Sequence, residues 1–251
     1  MKKILITGAA GNIGSILVDG LKHKYEIRGL DCKPMPEIKD SIVASLSDKE
    51  ALVEAAKGVD AIIHLAAIAS GNAPWEVVLE SNIIGTYNMF EAARICNVKR
   101  FIYTSTCQVT FGYGELAAVT WDMPPRPVNY YGVSKVTGEM LGYMYSEKFG
   151  MEVICVRIGK LSKDEISYKV MAKEKNLKGR YLSPRDAVQL YDKALTKPGI
   201  KYEVVYAASK SSKACYDIEH TKEVLGYEPL DSEDEALEVA MKMYHEKSWN
   251  K

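Results

Sequence analysis

The sequence predicts an α/β protein with a doubly wound parallel sheet and a small C-terminal lobe. Three observations lead to this prediction. Short apolar runs alternate strictly with stretches of helical spacing over residues 1–158. A glycine-rich turn follows the first apolar run and leads into the first helical stretch. The alternation loosens after Gly159, so residues 159–251 are predicted to form the small lobe, with segments that return to the main sheet.

Composition and charge limit the classes of function. A chain of 251 residues suffices for one large α/β domain with a small appended lobe. Lysine plus arginine equals aspartate plus glutamate at 33 each, so no net charge favours nucleic acid or an anionic membrane. The five cysteines form no C-x-x-C pair and no metal-ligand spacing, and no segment matches a signal peptide or a membrane helix. We therefore expect a soluble cytoplasmic protein without a metal site.

Six strands are predicted in the first part of the chain. They cover residues 2–6, 25–31, 41–45, 60–67, 99–106 and 152–158. Helical spacing at residues 74–97 predicts one long helix or two abutting ones, and residues 129–149 form another helix that Gly150 closes. Ser47 is the predicted N-cap of a helix after the third strand. Because strands and helices alternate, the strands are expected to run parallel.

The last third of the chain is more irregular. Residues 160–178 are polar and weakly helical in pattern. Ser183 is predicted to cap a helix that has Pro184 at its first position and runs to residue 195. A further strand is expected at residues 202–207 and a terminal helix at 231–249.

The glycine-rich turn reads T-G-A-A-G-N-I-G. Gly8 lets the chain turn without a Cβ clash, Gly11 lets backbone N–H groups approach a pyrophosphate, and Gly14 lets the helix pack close to the strand. The helix N-terminus, which includes Asn12 and Ile13, adds partial positive charge. The flanking strand and helix favour a dinucleotide site. The alternative is a glycine-rich turn without a ligand.

Asp31 ends the second predicted strand about twenty residues after the turn, where a carboxylate can bind both hydroxyls of an adenosine ribose. It would repel a 2′-phosphate, so NAD is favoured over NADP, a preference that Lys33 would weaken. The alternative is a solvated acid at a strand end. His64 is expected to be a satisfied core histidine rather than a catalytic one. The end of the fourth strand lets a ribose or a flat ring lie against the backbone at Leu65, Ala66 and Ala67.

Tyr131 and Lys135 lie four residues apart in Y-G-V-S-K and share one face of a predicted helix. A cation close to a phenol stabilises the phenolate and lowers the pKa of the tyrosine. Such a tyrosine can remove a proton from a substrate hydroxyl while a hydride leaves the same carbon. Thr106 ends a strand rich in hydroxyl groups and can orient the substrate oxygen. The alternative is a purely structural tyrosine–lysine pair.

Together these motifs make the chain resemble the extended short-chain dehydrogenase/reductase superfamily, of the NAD-dependent epimerase/dehydratase type. The resemblance covers nearly the whole chain. It rests on six features: T-G-A-A-G-N-I-G, the carboxylate of Asp31, H-L-A-A, S-N-I-I-G-T, the Ser-Thr end of the fifth strand, and Y-G-V-S-K. It implies a Rossmann domain at residues 1–158 that binds NAD and includes the catalytic helix. In that family the tyrosine is the acid/base, the lysine binds the nicotinamide ribose and lowers the tyrosine pKa, and the Ser/Thr polarises the reacting oxygen. These roles are implied here for Tyr131, Lys135 and Thr106.

The resemblance also implies further contacts with NAD. Asn82 matches an asparagine of the family's fourth helix. Leu46 lies where many members carry an Asp-Leu pair that contacts adenine, with Ser45 here in place of the aspartate. The whole set expected to contact the cofactor is Gly8, Gly11, Asn12, Ile13, Gly14, Asp31, Leu46, Leu65, Ala66, Ala67, Asn82, Thr104, Tyr131, Lys135 and Ile158.

The segments V-R-I-G, S-P-R-D, Y-A-A-S and L-G-Y-E-P are similar to the uronate dehydrogenases, which oxidise the C1 hydroxyl of a free hexuronic acid with NAD. Little chain follows Gly159 to hold a nucleotide diphosphate, which implies a small unactivated sugar or sugar acid. The residues implied to contact this substrate are Ser70, Thr106, Cys107, Gln108, Lys160 and Arg180.

Some positions depart from that pattern. The relatives' Ser-Asn-His at the end of the fifth strand is replaced here by Thr106, Cys107 and Gln108, and their serine by Lys160. Arg180 is the arginine nearest to their carboxylate-binding position, while Asn176 lies at the matching spacing. The substrate anion therefore stays open between a carboxylate and a phosphate, with four cations as candidates: Lys160, Lys163, Arg180 and Arg185.

Three functions remain open at this point. The first is an NAD-dependent dehydrogenase that oxidises a hydroxyl of a small sugar or sugar acid. The second is a nucleotide-sugar 4-epimerase or dehydratase with tightly bound NAD, and the third is a non-catalytic dinucleotide sensor. The resemblance also implies a homodimer that pairs through the helices at residues 74–97 and 129–149.

Overall fold

The computed structural model describes residues 2–114, 118–161, 165–174, 177 and 179–246. In chain order, the first part contains β1 (Lys3–Thr7), α1 (Asn12–Leu21), β2 (Glu26–Asp31), β3 (Asp40–Val43), α2 (Lys49–Ala56), β4 (Ala61–His64), α3 (Trp75–Val78), a π-helical turn (Leu79–Ile84), α4 (Gly85–Ile95), β5 (Arg100–Thr106), a 3₁₀ helix (Cys107–Tyr113) and α5 (Tyr130–Phe149). The second part contains β6 (Glu152–Ile158), β7 (Lys160–Leu161), α6 (Glu165–Glu174), β8 (Tyr181–Leu182), α7 (Pro184–Thr196), β9 (Tyr202–Ala207), α8 (Glu219–Leu225) and α9 (Glu233–Glu246).

Seven parallel strands form the main sheet in the order β3-β2-β1-β4-β5-β6-β9. The strand order reverses between β1 and β4, which is the position where doubly wound sheets open a crevice at the carboxyl ends of their strands. The predicted α/β fold with a doubly wound parallel sheet is therefore confirmed.

Apolar helices cover both faces of this sheet. On one face α1 and α7 pack in a cluster that includes Leu17, Leu190 and Tyr191. On the other face α2, α4 and α5 pack in a cluster that includes Phe90 and Tyr145. The sheet strands are buried on both sides, which explains why they read as continuous apolar runs rather than as alternating ones.

The bounds of several elements match the prediction closely. β6 and β9 occupy residues 152–158 and 202–207 as expected. The side chain of Asn129 accepts the Gly132 N–H at the start of α5, and Gly150 ends this helix with a φ of 67°. Ser183 caps α7 through the Asp186 N–H. These boundaries depend on local capping chemistry, which the sequence carries.

Two boundary predictions were corrected. Ser47 does not cap α2, because its hydroxyl donates to Ser45 Oγ at 2.9 Å. Asp48 is the N-cap instead, and its carboxylate accepts the Ala51 N–H. Residues 74–97 form neither one regular helix nor two abutting ones, since the π-helical turn Leu79–Ile84 joins α3 to α4. Such π-helical insertions are frequent at functional sites.

Four elements of the C-terminal part of the chain lie outside the main sheet: β7, β8, α6 and α9. The two short strands pair in parallel, and α6 packs against α9 through Met171, Ala172, Ala236 and Ala240. β9 and α7 come from the same part of the chain but belong to the main sheet and its cover. The division into a domain at residues 1–158 and a small lobe stays a prediction, and residues 247–249 of the predicted terminal helix lie outside the described residues.

Among the described residues, no helix is long and apolar enough to cross a membrane. Likewise, in this part of the chain, no three histidine, cysteine, aspartate or glutamate side chains are grouped so that they could hold a metal ion.

Candidate active site

The backbone of the turn between β1 and α1 packs closely against the backbone of β2 and of the segment that follows β4. Gly8 has a φ of 71°, which is a left-handed conformation that favours glycine, and its N–H donates to the Leu30 carbonyl at 2.7 Å. A Cβ on Gly8 would lie 2.9 Å from Ala66 N, and a Cβ on Gly14 would overlap the Gly8 carbonyl oxygen. The turn therefore leaves space that only glycine keeps open, directly at the N-terminus of α1.

A groove of about 510 Å³ opens along this turn and the neighbouring strand ends. Ten of the residues predicted to contact the cofactor line it: Gly8, Gly11, Asn12, Ile13, Gly14, Asp31, Leu46, Leu65, Ala66 and Ala67. The groove thus combines glycine backbone, a helix N-terminus and a carboxylate at the reversal of strand order. These features fit the adenosine and pyrophosphate parts of NAD.

Asp31 is positioned by the turn itself. Its Oδ2 accepts the Ala10 N–H and its Oδ1 accepts the Lys33 N–H, both at 3.0 Å. The side chain is 9 % exposed and ends β2 at the edge of the groove. Oδ1 also accepts the Cys32 S–H at 3.5 Å, so Oδ2 is the oxygen that keeps a lone pair for a ribose hydroxyl.

Tyr131, Lys135 and Thr106 meet where α5 packs against the carboxyl end of β5. The Thr106 side chain lies close enough to the Tyr131 oxygen to lower the pKa of the phenol. Thr106 Oγ1 accepts the Gln108 N–H at 3.3 Å. Lys135 Nζ donates to the Thr104 carbonyl at 2.8 Å and lies 5.8 Å from the centre of the Tyr131 ring.

The pKa values at this site differ from the sequence expectation. Burial raises the pKa of Tyr131 to about 12, and the Thr106 side chain acts in the opposite direction. Burial also lowers the pKa of Lys135 to about 7, while the charge of Glu139 opposes that shift. The expected lowering of the tyrosine pKa by the lysine is thus wrong for the chain by itself, because both groups lose their hydration and the ammonium points at a backbone carbonyl.

Asn82 does not line the groove among the described residues. It lies on the π-helical turn, where its Oδ1 accepts the Ile68 N–H and its Nδ2 donates to the Ile68 carbonyl. The same Nδ2 also donates to Ser134 Oγ on α5 at 3.2 Å. Asn82 therefore ties the loop after β4 to the helix that carries Tyr131, and its contact with the cofactor stays a prediction.

Two other residues predicted to contact the cofactor are not among the described residues that line this groove, and their contacts with NAD stay predictions. The Thr104 side chain is hydrogen-bonded to Tyr191 OH at 2.6 Å, and only its carbonyl serves the site, through Lys135. Ile158 packs in the core between the sheet and the helices α1 and α7.

His64 is confirmed as a core histidine. Its Nδ1 lies 2.8 Å from Thr7 Oγ1 and its Nε2 lies 3.3 Å from Thr86 Oγ1. Burial lowers its pKa to about 3, and the positive charge of Lys135 acts in the same direction. The ring is therefore neutral and structural.

The predicted substrate residues divide into two groups. Gln108 lies beside the catalytic helix, with its Oε1 accepting the Asn129 Nδ2–H at 2.9 Å, and the exposed loop that carries Ser70 passes next to it at Gly71. Cys107, in contrast, is turned into an apolar cluster with Val119 and Tyr206, and burial raises its pKa to about 11. Its side chain is therefore unsuited to bind a sugar hydroxyl.

Lys160 and Arg180 meet through their backbones, since the Lys160 N–H donates to the Arg180 carbonyl at 2.5 Å. The Arg180 guanidinium lies 5.6 Å from the centre of the Phe111 ring, and its charge lowers the pKa of Cys107 against the effect of burial. It thus lies close to the end of β5. Arg185 is paired with Asp231, while Lys163 and Asn176 lie outside the described residues.

Comparisons with known proteins agree with this geometry. Residues 4–162 match the model of the NAD dependent epimerase/dehydratase family. The chain belongs to this family. It is 33% identical to the L-arabinose 1-dehydrogenase (NAD(P)(+)) of Haloferax volcanii, over 95% of this chain and 100% of that protein. It is 34% identical to the NAD-dependent glucose-6-phosphate dehydrogenase of the same organism, over 92% of this chain and 94% of that protein.

A solved structure gives the same picture. Uronate dehydrogenase from Agrobacterium tumefaciens, in a mutant form complexed with NAD, has a TM-score of 0.83 and 31% identity to this chain. The match covers 96% of this chain and 89% of that one. Membership of the epimerase/dehydratase family therefore accounts for the groove and its fit to NAD.

Sequence reasoning did not identify one further feature of this family member's site. Glu139 and Arg157 form an ion pair with 1% and 3% of their side chains exposed, one helical turn beyond Lys135. A signal was present, because a glutamate four residues after Lys135 falls on the inward face of the helix, where a charge needs a partner.

Proposed function

We propose that this chain is an NAD-dependent dehydrogenase that oxidises a hydroxyl of a small sugar or sugar acid. The observation that carries the proposal is the meeting of Tyr131, Lys135 and Thr106 at the carboxyl end of β5, at the same edge of the sheet as the NAD groove. Three relatives that act on an aldose, a sugar phosphate and a uronate support this class of substrate.

The proposed reaction divides the work among three side chains. NAD supplies the hydride acceptor when it is bound in the groove. Tyr131 takes the proton of the substrate hydroxyl at its phenolic oxygen, and Thr106 donates a hydrogen bond that orients the reacting oxygen. When NAD is bound, the Lys135 ammonium would bind the nicotinamide ribose and stabilise the phenolate of Tyr131.

Asp31 supports a preference for NAD over NADP. A 2′-phosphate would approach a carboxylate that is already held by two backbone N–H groups and is unable to turn away. We therefore expect kcat/KM to be higher with NAD. One of the similar proteins is named for both cofactors, so the ratio is a property to measure in this chain.

Arg180 is the cation that we propose for binding a carboxylate or a phosphate of the substrate. Among the described residues, no carboxylate pairs with its guanidinium, whereas Arg157 and Arg185 have glutamate and aspartate partners. It approaches the cysteine that follows Thr106 closely enough to lower its pKa. We propose that Arg180 belongs to a substrate lobe formed by β7, β8, α6 and α9, next to an NAD-binding domain at residues 1–158.

The first experiment measures NADH formation by the purified protein with uronic acids, free aldoses and sugar phosphates, using NAD and NADP in turn. We expect Arg180→Leu to raise KM for an anionic substrate by about 10- to 100-fold, because a charge-assisted hydrogen bond is lost, with little change in kcat. Arg126→Leu is the matched control, since Arg126 stacks on Tyr113 of the same 3₁₀ helix and is exposed.

Each outcome of this experiment has a clear meaning. An unchanged KM in Arg180→Leu would mean that a residue other than Arg180 binds the carboxylate or phosphate of the substrate. A protein that binds NAD, forms no NADH with any of these sugars and interconverts a UDP-sugar would be an epimerase instead. NAD binding without turnover of any of these substrates would favour the non-catalytic dinucleotide sensor instead.

We also propose that the chain is a homodimer. Helices α4 and α5 pack against each other. These two helices and the last residue of the π-helical turn carry large apolar side chains that are exposed by 37–53 %: Ile84, Tyr87, Ile95, Val133, Met140, Tyr143, Met144 and Phe149. So many exposed apolar side chains on neighbouring helices favour an interaction surface. A second copy of the chain would cover this surface.

We also propose a cytoplasmic location, because the spacing of the cysteines is typical of a protein in a reducing compartment.

Light scattering with size-exclusion chromatography tests the dimer. We expect a mass of twice 27.9 kDa for the wild type and of one chain for Met140→Glu, because a buried unpaired carboxylate is costly. Val239→Glu changes an equally exposed side chain on α9 and should leave the mass unchanged. A wild-type protein that stays a single chain at high concentration would refute the proposal.

A further inference from the structure

An ion pair lies under the proposed catalytic residues, between α5 and β6. Glu139 Oε1 accepts Arg157 Nε–H at 2.9 Å, and Oε2 accepts Arg157 Nη2–H at 2.8 Å. The hydroxyl of Ser105 donates to Glu139 Oε1 at 2.6 Å. The carboxylate is therefore held by three hydrogen bonds and has almost no exposure to solvent.

Three consecutive residues of β5 each meet a different residue of α5. Lys135 Nζ donates to the Thr104 carbonyl, and Ser105 donates to Glu139. Thr106 lies close enough to Tyr131 to lower the pKa of its phenol. Tyr131, Lys135 and Glu139 are spaced four residues apart and share one face of the helix, so Glu139 lies directly behind Lys135.

The other titratable groups around this pair are neutral near neutral pH. Burial raises the pKa of the phenols and thiols and lowers that of the imidazole: Tyr103 on β5, Cys155 on β6, Tyr202 and Tyr206 on β9, Cys107 on the 3₁₀ helix and His64 on β4. Among the described residues, Glu139 is the group whose charge raises the pKa of Lys135 against the effect of burial.

We propose that Glu139 is a positioning residue of the reaction, whose buried carboxylate, clamped by Arg157 and Ser105, keeps the Lys135 ammonium charged behind Tyr131. Arg157 fixes the direction of the carboxylate through its Nε–H and Nη2–H groups. Its remaining nitrogen donates to the Trp121 carbonyl at 3.0 Å, which anchors the guanidinium in turn. The consequence for catalysis rests on the proposed function, whereas the effect on Lys135 does not.

The direction in which the pKa of Lys135 should change follows from the charges around it. Glu139→Gln keeps the size of the side chain and removes its charge, so Lys135 gives up its proton at a lower pH than in the wild type. Tyr131 then has a neutral amine beside it over more of the pH range, and its phenolate is less stable. We expect kcat/KM for oxidation to fall by about tenfold near neutral pH and to recover partly at alkaline pH, because a higher pH restores the phenolate.

The decisive measurement follows Lys135 itself. Lysine labelled with carbon-13 at Cε gives an NMR signal whose shift follows protonation, and Lys135→Met identifies the signal of Lys135. We expect its titration midpoint to fall by about one pH unit in Glu139→Gln. Glu152→Gln is the matched control, because Glu152 pairs with Arg100 at the opposite end of the sheet and should leave the midpoint unchanged.

A second variant protects the test against a folding defect. Removing one partner of a buried ion pair leaves an uncompensated charge, so Glu139→Gln also lowers the Tm. The double variant Glu139→Gln with Arg157→Met removes both charges, and we expect the same downward movement of the Lys135 midpoint. An unchanged midpoint in both variants overturns the proposal, even if activity falls. A lowered midpoint in a protein without dehydrogenase activity supports it and refutes the proposed function alone.

Discussion

Tyr131→Phe is expected to lower kcat/KM for sugar oxidation by about 10²- to 10⁴-fold, the range over which a positioned acid/base contributes. The ring is 7% exposed, and phenylalanine fills the same space, so packing is preserved. The change removes the oxygen that takes the substrate proton. The NAD groove is lined by other residues, so the Kd of NAD should change little.

Tyr130→Phe is the control for this variant. Tyr130 precedes the catalytic residue on α5, is 53% exposed and contacts the ring of Trp75. Its loss of a hydroxyl should leave kcat/KM and Tm at wild-type values. If Tyr131→Phe kept more than about a tenth of wild-type kcat/KM with an intact Tm, Tyr131 would not be the base.

The sequence was a good guide wherever a feature depends on local chemistry. The C-terminal end of α5 was predicted from Gly150, and the N-cap of α7 was predicted because Ser183 offers a side-chain acceptor to its own helix. Alternation of strands and helices was sufficient to predict the parallel sheet, and the glycine spacing was sufficient to place the groove. These features depend on residues that are close together in the sequence, so they can be predicted before the fold is known.

It was a poorer guide wherever a property arises from burial or from distant partners. The pKa of Tyr131 was predicted to fall because a lysine is four residues away, but the folded chain desolvates both groups. The sequence also did not show that the amide of Asn82 is hydrogen-bonded to Ile68 and Ser134 from two other segments. No local pattern in the sequence shows which of several possible partners a buried amide will find.

Gly14→Ala is expected to raise the Kd of NAD by about 100-fold, the loss that follows when two or three backbone hydrogen bonds to a pyrophosphate are disrupted. A methyl group here would overlap the Gly8 carbonyl oxygen and lie 2.7 Å from Ala9 Cα. These are backbone atoms, so the turn itself must move. The Gly8 carbonyl also accepts the Gly11 N–H at 2.9 Å, and that contact would be displaced as well.

Gly20→Ala separates the effect on the groove from the effect on packing. Gly20 lies on the same helix, but a Cβ there would press on the Val188 side chain of α7, on the face away from the groove. Overpacking costs about 1–3 kcal/mol, so both variants should lose Tm. Isothermal titration with NAD then decides between the two effects. If the two variants bind NAD equally well, close backbone packing at Gly14 matters only for stability; if Gly14→Ala alone loses affinity, the turn holds the cofactor.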